Sequence, residues 1–169
     1  PNKQYIGTAG GLYKDKGVEV IYQAWEKLKH EMPNVHLVLA GPYQPDYPPP
    51  EEERVHYLGS LAHHEISTLF QALDLGIISI LDTPFGRYCF PQKAYEMLAC
   101  DLPVVVANIG EMSYLFRDSP QVLFQTGNAN DLASKIQQQL QSPQQQSIVV
   151  EDWATIIERL EPMITALKF

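Results

Sequence analysis

Short apolar runs alternate with stretches of helical period along almost the whole chain. Tyr5–Ala9 is apolar and breaks at Gly10–Gly11, which reads as a strand ending in a glycine turn. Val18, Ile21, Tyr22, Trp25 and Leu28 recur at helical spacing, so a helix is predicted from Gly17 to about Glu31, with Pro33 as its stop. His36–Ala40 is a second strand, ending at Gly41–Pro42. The Pro-rich, acidic stretch Tyr43–Glu53 suits a surface loop. Arg54–Leu58 is a third strand, followed by a helix from His63 to Leu73. Leu75–Leu81 is nearly all apolar, as expected of a strand covered on both faces. Asp82–Phe90 reads as an irregular loop. Pro91 then fits the first turn of a helix that runs to Cys100. Pro103–Ala107 and Val122–Gln125 are further strands, with a short helix at Glu111–Phe116 between them. Asn128–Leu140 is a helix, Gln141–Gln146 a polar connector, and Ile148–Leu167 a closing amphipathic helix.

Alternating strands and helices predict an α/β fold: a doubly wound, six-stranded, mostly parallel Rossmann-like sheet with helices on both faces. Residues 1–169 form one domain on this reading. The abrupt start, Pro1–Gln4 leading straight into an apolar stretch, predicts a domain of a longer protein. In such folds ligands sit outside the carboxyl ends of the strands, at the switch in strand order. The loops of interest are therefore Gly10–Gly17, Gly41–Pro42, Gly59–His64, Asp82–Lys93 and Asn108–Glu111.

Charge and cysteine usage narrow the partners. The formal net charge of −8 and the lack of any Lys/Arg block argue against nucleic acid, whose affinity comes from clustered cations. Cys89 and Cys100 are not in a C-x-x-C pair and have no His cluster beside them, so they read as reduced structural thiols of a cytoplasmic protein. No run is apolar enough to cross a bilayer, and membrane contact is left open. No metal and no cofactor are expected.

Two stretches carry the candidate chemistry. In Gly10–Gly17 the paired glycines let backbone N–H groups approach an anion, the following helix start adds a favourable dipole, and Lys16 can neutralise a phosphate. The spacing is neither G-x-G-x-x-G nor a P-loop, and on spacing alone a plain strand–turn–helix connection with solvated lysines is the favoured alternative. In Pro91–Glu96, Lys93 and Glu96 share one helix face. A carboxylate there can accept hydrogen bonds from two neighbouring hydroxyls, as on a ribose; a surface ion pair is the alternative. His63–His64 read as helix-start surface residues or as base contacts. Gly110 opens its backbone to a ligand or forms a tight turn. No G-x-S-x-G elbow supports a hydrolase.

Taken in order, these pieces resemble the C-terminal domain of retaining GT-B glycosyltransferases, the glycosyl transferases group 1 family. The matching pieces are Gly10–Gly11–Leu12 with Lys16–Gly17–Val18, Leu37–Gly41, Val55–Gly59, Leu69–Asp74, Pro91–Cys100 and Leu102–Ala107. Asp152–Trp153 is similar to the start of that family's closing helix. The resemblance implies half of a GT-B fold that binds a nucleoside-diphosphate sugar, UDP- or GDP-linked. The acceptor would sit mainly on an N-terminal domain, and the isolated domain would transfer nothing. By position it makes Lys16 and Glu96 the catalytic pair: Lys16 on the diphosphate and Glu96 on the ribose. Gly10 and Gly11 would line the donor, the backbone of Gly59, Ser60 and Leu61 would meet the base, and the loop through Phe90 and Pro91 would face the sugar. Lys93 would take part of the cationic role. Two positions depart from the family pattern: Gly11 stands where an Arg is common, and Tyr88 where a first Glu is common. A non-catalytic domain with a structural or partner-binding role is the competing reading. A nucleotide-sugar epimerase of the same fold lacks the acids and histidines it would need.

Overall fold

The computed structural model describes residues 3–90, 92–144 and 148–166. Six strands form one sheet: β1 (Gln4–Ala9), β2 (Val35–Ala40), β3 (Val55–Tyr57), β4 (Leu75–Ile78), β5 (Val104–Ala107) and β6 (Leu123–Phe124). Their order is β3-β2-β1-β4-β5-β6 and every pair is parallel, as the strand–helix alternation predicts. Ile6 of β1 is level with Leu37 of β2 and Leu75 of β4, so the three central strands run in one register. β2, β4 and β5 are buried along their full length, which is why their sequences are almost continuously apolar.

Helices α1 (Val18–Glu31) and α6 (Ala129–Gln141) pack together, as do α2 (His63–Ala72) and α4 (Gln92–Ala99). Their apolar stripes include Trp25, Leu28, Phe70, Met97, Leu132 and Ile136, all buried. Trp25 also anchors the Pro-rich loop. Its indole N–H donates to Glu52 at 3.1 Å, and Lys29 donates to the other Glu52 oxygen at 2.8 Å. That loop therefore has no regular structure of its own but a fixed end.

Besides shorter β3 and β6, the structure departs from the sequence reading in three places. Asp82–Phe90 is not all irregular: Pro84–Tyr88 is a short helix, α3. The Thr83 hydroxyl accepts from the Gly86 N–H at 3.1 Å, and Pro84 sits in the first turn, so cap and proline start the helix together. β4 stops at Ile78 rather than Leu81 because Ser79 turns out of the sheet to bond Gly17. The closing helix, α7, spans Trp153–Thr165 and starts later than Ile148, where Asp152 accepts from the Thr155 N–H at 2.7 Å. Leu167 and Pro91 lie outside the described residues. Trp153, Ile157, Leu160, Met163 and Ile164 of α7 are all exposed. A further short helix, α5 (Gly110–Leu115), follows β5. Among the described residues no helix is long and apolar enough to cross a membrane.

Candidate functional site

The strand order reverses between β1 and β4, so the crevice of interest opens at their carboxyl ends. One wall is a rim made of three strand ends. The Gly10 N–H donates to the Ala40 carbonyl at 2.9 Å, and the Gly41 N–H donates to the Gly59 carbonyl at 2.7 Å. Gly41 has φ 117°, and a Cβ there would run into the Gly10 carbonyl. Only glycine fits that crossing. The Tyr57 hydroxyl closes the outer side by donating to the Gly41 carbonyl at 2.9 Å, and the Tyr43 ring stands edge-on to Tyr57 at 5.5 Å. The backbone at Gly59, Ser60 and Leu61 continues this rim beyond β3.

The opposite wall comes from α4. The Lys93 ammonium donates to the Thr8 hydroxyl at 3.2 Å, a contact across 85 positions of sequence. Thr8 is buried within β1. Burial pushes the Lys93 pKa down to about 8; Lys16 nearby acts in the same direction and Glu96 opposes it. Among the described residues no carboxylate forms an ion pair with Lys93. Lys16, in the single 3-10 turn Lys14–Lys16, lies over the Phe85 ring of α3 at 4.0 Å from its centre. Such a cation–π contact holds an ammonium without discharging it. Lys93 thus reaches Gly10 from α4, and Lys16 on the β1–α1 turn is near enough to Lys93 to lower its pKa.

Glu96 lies on α4 beyond Lys93. Its carboxylate accepts from Gln92 Nε2 at 3.0 Å and not from Lys93, so the predicted surface ion pair does not form. Gly10 and Lys93 come together, Lys16 lies near enough to act on Lys93, and Gly11 faces the Tyr13 ring. Phe90 is exposed and stacks on Tyr95, with ring centres 5.4 Å apart. Tyr88, at 87% exposed, ends α3 and touches little. His63 and His64 are exposed at the start of α2. At Gly110, with φ 52°, a Cβ would stand 2.6 Å from the Arg87 carbonyl of α3, so glycine is needed there for packing. A polar cleft of about 510 Å³ opens nearby at the ends of β5 and β6, lined by Asp82, Asn108, Gln125, Thr126, Asp131 and Lys135.

Thr8 and Ser79 are the site-shaping residues that pattern reading misses. Ser79 donates to the Gly17 carbonyl at 3.0 Å and ties β4 to the start of α1. Both are buried polar residues interrupting apolar runs near the carboxyl end of a strand, and that interruption is the available signal. Among the described residues no three His, Cys, Asp or Glu side chains gather in a way that holds a metal ion.

Fold and strand order together define a Rossmann-like α/β domain with an all-parallel six-stranded sheet. The chain belongs to the glycosyl transferases group 1 family, whose profile matches residues 3–142. No curated protein matches it in sequence. Among solved structures it is similar to Anabaena HepE in complex with UDP-glucose, at 22% identity and TM-score 0.77, covering 98% of this chain and 50% of HepE. It is also similar to the C-terminal domain of LpcC from Francisella tularensis, a glycosyl transferase group 1 protein, at 18% identity and TM-score 0.69, covering 94% and 86% of the two chains. A UDP-forming trehalose-phosphate synthase from Burkholderia xenovorans has 17% identity and TM-score 0.67, covering 84% of this chain and 37% of that one. These neighbours share the GT-B half-fold. The chain spans about half the length of HepE.

Proposed function

We propose that this chain is the donor-binding domain of a glycosyltransferase that moves a sugar from a nucleoside-diphosphate sugar to an acceptor, with retention at the anomeric carbon. The observation that carries the reading is Lys93 beside Gly10 and Thr8, with Lys16 close enough to act on it, at the switch point of a group 1 chain. HepE in complex with UDP and with UDP-glucose supports a UDP-linked donor ahead of a GDP-linked one. In this reading the rim around Gly59, Ser60 and Leu61 meets the base through its backbone. Glu96 accepts from the ribose hydroxyls. The segment through Phe90 and Pro91 faces the sugar, and the acceptor lies mainly on a second domain.

The chemistry follows from where charge develops. When the bond from the anomeric carbon to the diphosphate breaks, negative charge builds on the leaving phosphate oxygens. Cations fixed at the crevice before that moment stabilise it without reorganising. Lys16 sits on a turn that Gly17 and Ser79 hold in place, so its backbone is fixed in advance.

A thermal-shift series with UDP, GDP, ADP and CMP tests the reading, since a ligand that binds only the folded state raises the melting point. UDP is expected to stabilise most, and Glu96→Ala or Lys16→Ala to weaken the shift. Absence of any shift at millimolar nucleotide sinks the donor reading. The competing reading, a domain kept for structure or partner binding, is favoured by Gly11 and Tyr88 and predicts that absence.

A further inference from the structure

Strand β3 is the edge of the sheet and only three residues long, so it depends on bonds beyond its own ladder. Three side chains at or beside it supply them. Arg54 donates to the Met32 and Val35 carbonyls around the α1–β2 turn, both at 3.0 Å. The Tyr57 hydroxyl donates to the Gly41 carbonyl. His56 Nε2 lies 2.9 Å from Nδ1 of His36 in β2, and the two rings stack with 5.2 Å between centres. Of the three, the imidazole pair is the one that titrates near neutrality.

The pair is covered on one side only. His36 is buried, whereas His56 lines a cavity of about 340 Å³ together with Tyr5, Val38, Leu58 and, at the end of α2, Leu69 and Leu73. The His56 ring therefore has room to swing away from His36. Lys3 before β1, Arg54 and Glu53 beside β3, and His56 itself are the charged and titratable groups acting on His36. The Tyr5 ring of β1 stands 5.3 Å from it, and Asp74 accepts from the Tyr5 N–H at 2.6 Å. Helix α2 turns apolar residues to the cavity, and its Glu65 accepts from the Ala62 N–H at the helix start.

A hydrogen bond between two imidazoles needs one facing nitrogen with a proton and one without. A first added proton is compatible with it, since an imidazolium donates well to an imidazole. A second is not: both facing nitrogens then carry hydrogen, and two cations stand in contact beside Lys3 and Arg54. Burial first, then Lys3, His56 and Arg54, hold the His36 pKa below the ordinary 6.5, with Glu53 opposing. The released chain accepts the second proton at a higher pH than the bonded one does. The bond is therefore fully present above pH 6.5 and is lost as the pH falls below it.

We propose that His36 and His56 form a proton-operated latch: with one imidazole neutral they hold β3 against β2, and with both protonated His56 swings into the adjoining cavity and β3 loosens. The strand runs straight into the rim. Directly after His56, the Leu58 N–H donates to the Leu39 carbonyl at 2.9 Å and the Gly59 carbonyl accepts from Gly41 at 2.7 Å. On the donor reading above, on which this consequence rests, acid weakens the grip on the nucleotide from its base side.

Amide hydrogen exchange of this chain, followed by NMR from about pH 7.5 to about pH 5.5, reads the latch. The amides of Leu37, Gly41 and Leu58 bridge β2 and β3 with the residues at their ends, and that of Gly76, bonded to Pro103, is the control in the same sample. In the wild type the protection of the first three is expected to fall about tenfold more than that of Gly76 as the pH drops. His36→Gln and His56→Gln each keep a hydrogen-bonding side chain and remove one proton site, so neither should show the selective fall; one folded variant suffices. Equal changes at all four amides in the wild type, or the same selective fall in a folded variant, overturn the latch. UDP affinity over the same range is the second readout, taken as the ratio of wild type to variant so that the nucleotide's own titration cancels. A ratio that falls about threefold or more with the pH supports the link to the rim. A flat ratio with the selective exchange intact leaves the latch standing and removes that link. If neither protein binds UDP at neutral pH, the donor reading is removed and the exchange experiment still decides the latch.

Discussion

The Ser79 hydroxyl donates to the Gly17 carbonyl at 3.0 Å, joining the carboxyl end of β4 to the residue that precedes α1. This bond spans the switch point. It fixes how far the turn carrying Lys16 stands from the strand beside it. Ser79→Ala leaves the Gly17 carbonyl without that donor in a buried setting, at a cost of about 1–2 kcal/mol. Chemical denaturation should show the lower midpoint with an unchanged slope. A midpoint equal to the wild type's would mean the bond contributes nothing.

Lys93 should make the free domain less stable than it need be. Its folded pKa, about 8, lies below the ordinary lysine value of 10.5. Below pH 8 both folded and unfolded chains carry the proton, and the folded state bears the whole cost of burying it. Between pH 8 and 10.5 the folded state releases the proton first, so the cost fades as pH rises. Lys93→Met is therefore expected to be more stable at pH 7, by on the order of 2 kcal/mol, with the gap closing by pH 10.5. Melting curves of both proteins across that range check the sign. A variant less stable than the wild type at pH 7 would contradict it.

Glu96 gives the opposite combination. Its only described hydrogen bond is to Gln92 on the same helix, so Glu96→Ala should shift stability by no more than about 0.5 kcal/mol. If it holds the ribose, the same change should weaken UDP about tenfold or more. Titration of UDP beside a melting curve separates binding from folding in one preparation.

The Pro-rich loop depends on Glu52. Hydrogen bonds from Lys29 and then Trp25 hold its carboxyl below the usual range against the opposing effect of burial. A depressed carboxylate pKa contributes stability that is fully present above the unfolded value, 4.5, and is lost as pH falls through the folded one. Glu52→Ala should cost about 1 kcal/mol at pH 7, mostly from the unpaired indole N–H, and less in acid. Trp25 fluorescence during acid titration follows the transition directly.

Substitutions on α7 should behave as surface changes in this chain. Trp153 and Ile157 are 75% and 58% exposed, so Trp153→Ser and Ile157→Ser are expected within about 0.5 kcal/mol of the wild type. A large loss of melting temperature in either would show that the helix packs against the body.

Much of the sheet is legible in the sequence because its strands are buried on both faces. The runs HLVLA, LGIISIL and PVVVA read as core, and Gly41 marks the carboxyl end of the first. Helix α3 is not legible by periodicity, since five residues make little more than one turn; its signal is the pair Thr83–Pro84. The candidate site is legible only as two stretches. What joins them, Lys93 reaching Thr8, depends on a parallel crossover that brings distant positions together, and no local pattern encodes it. Likewise Lys93 and Glu96 share a helix face, yet one turns to the sheet and the other to Gln92.

The laced rim has a consequence for how such a domain changes partners. Gly10 is bonded to the end of β2, and Gly41 to Gly59 after β3. Any backbone shift at the far end of this chain of bonds is therefore delivered to the residue facing Lys93. If the rim meets a nucleobase and the crevice a phosphate, the two grips are mechanically geared, and moving the rim to retune one retunes the other. Altering side chains that overhang it, such as Tyr43, leaves the gearing untouched.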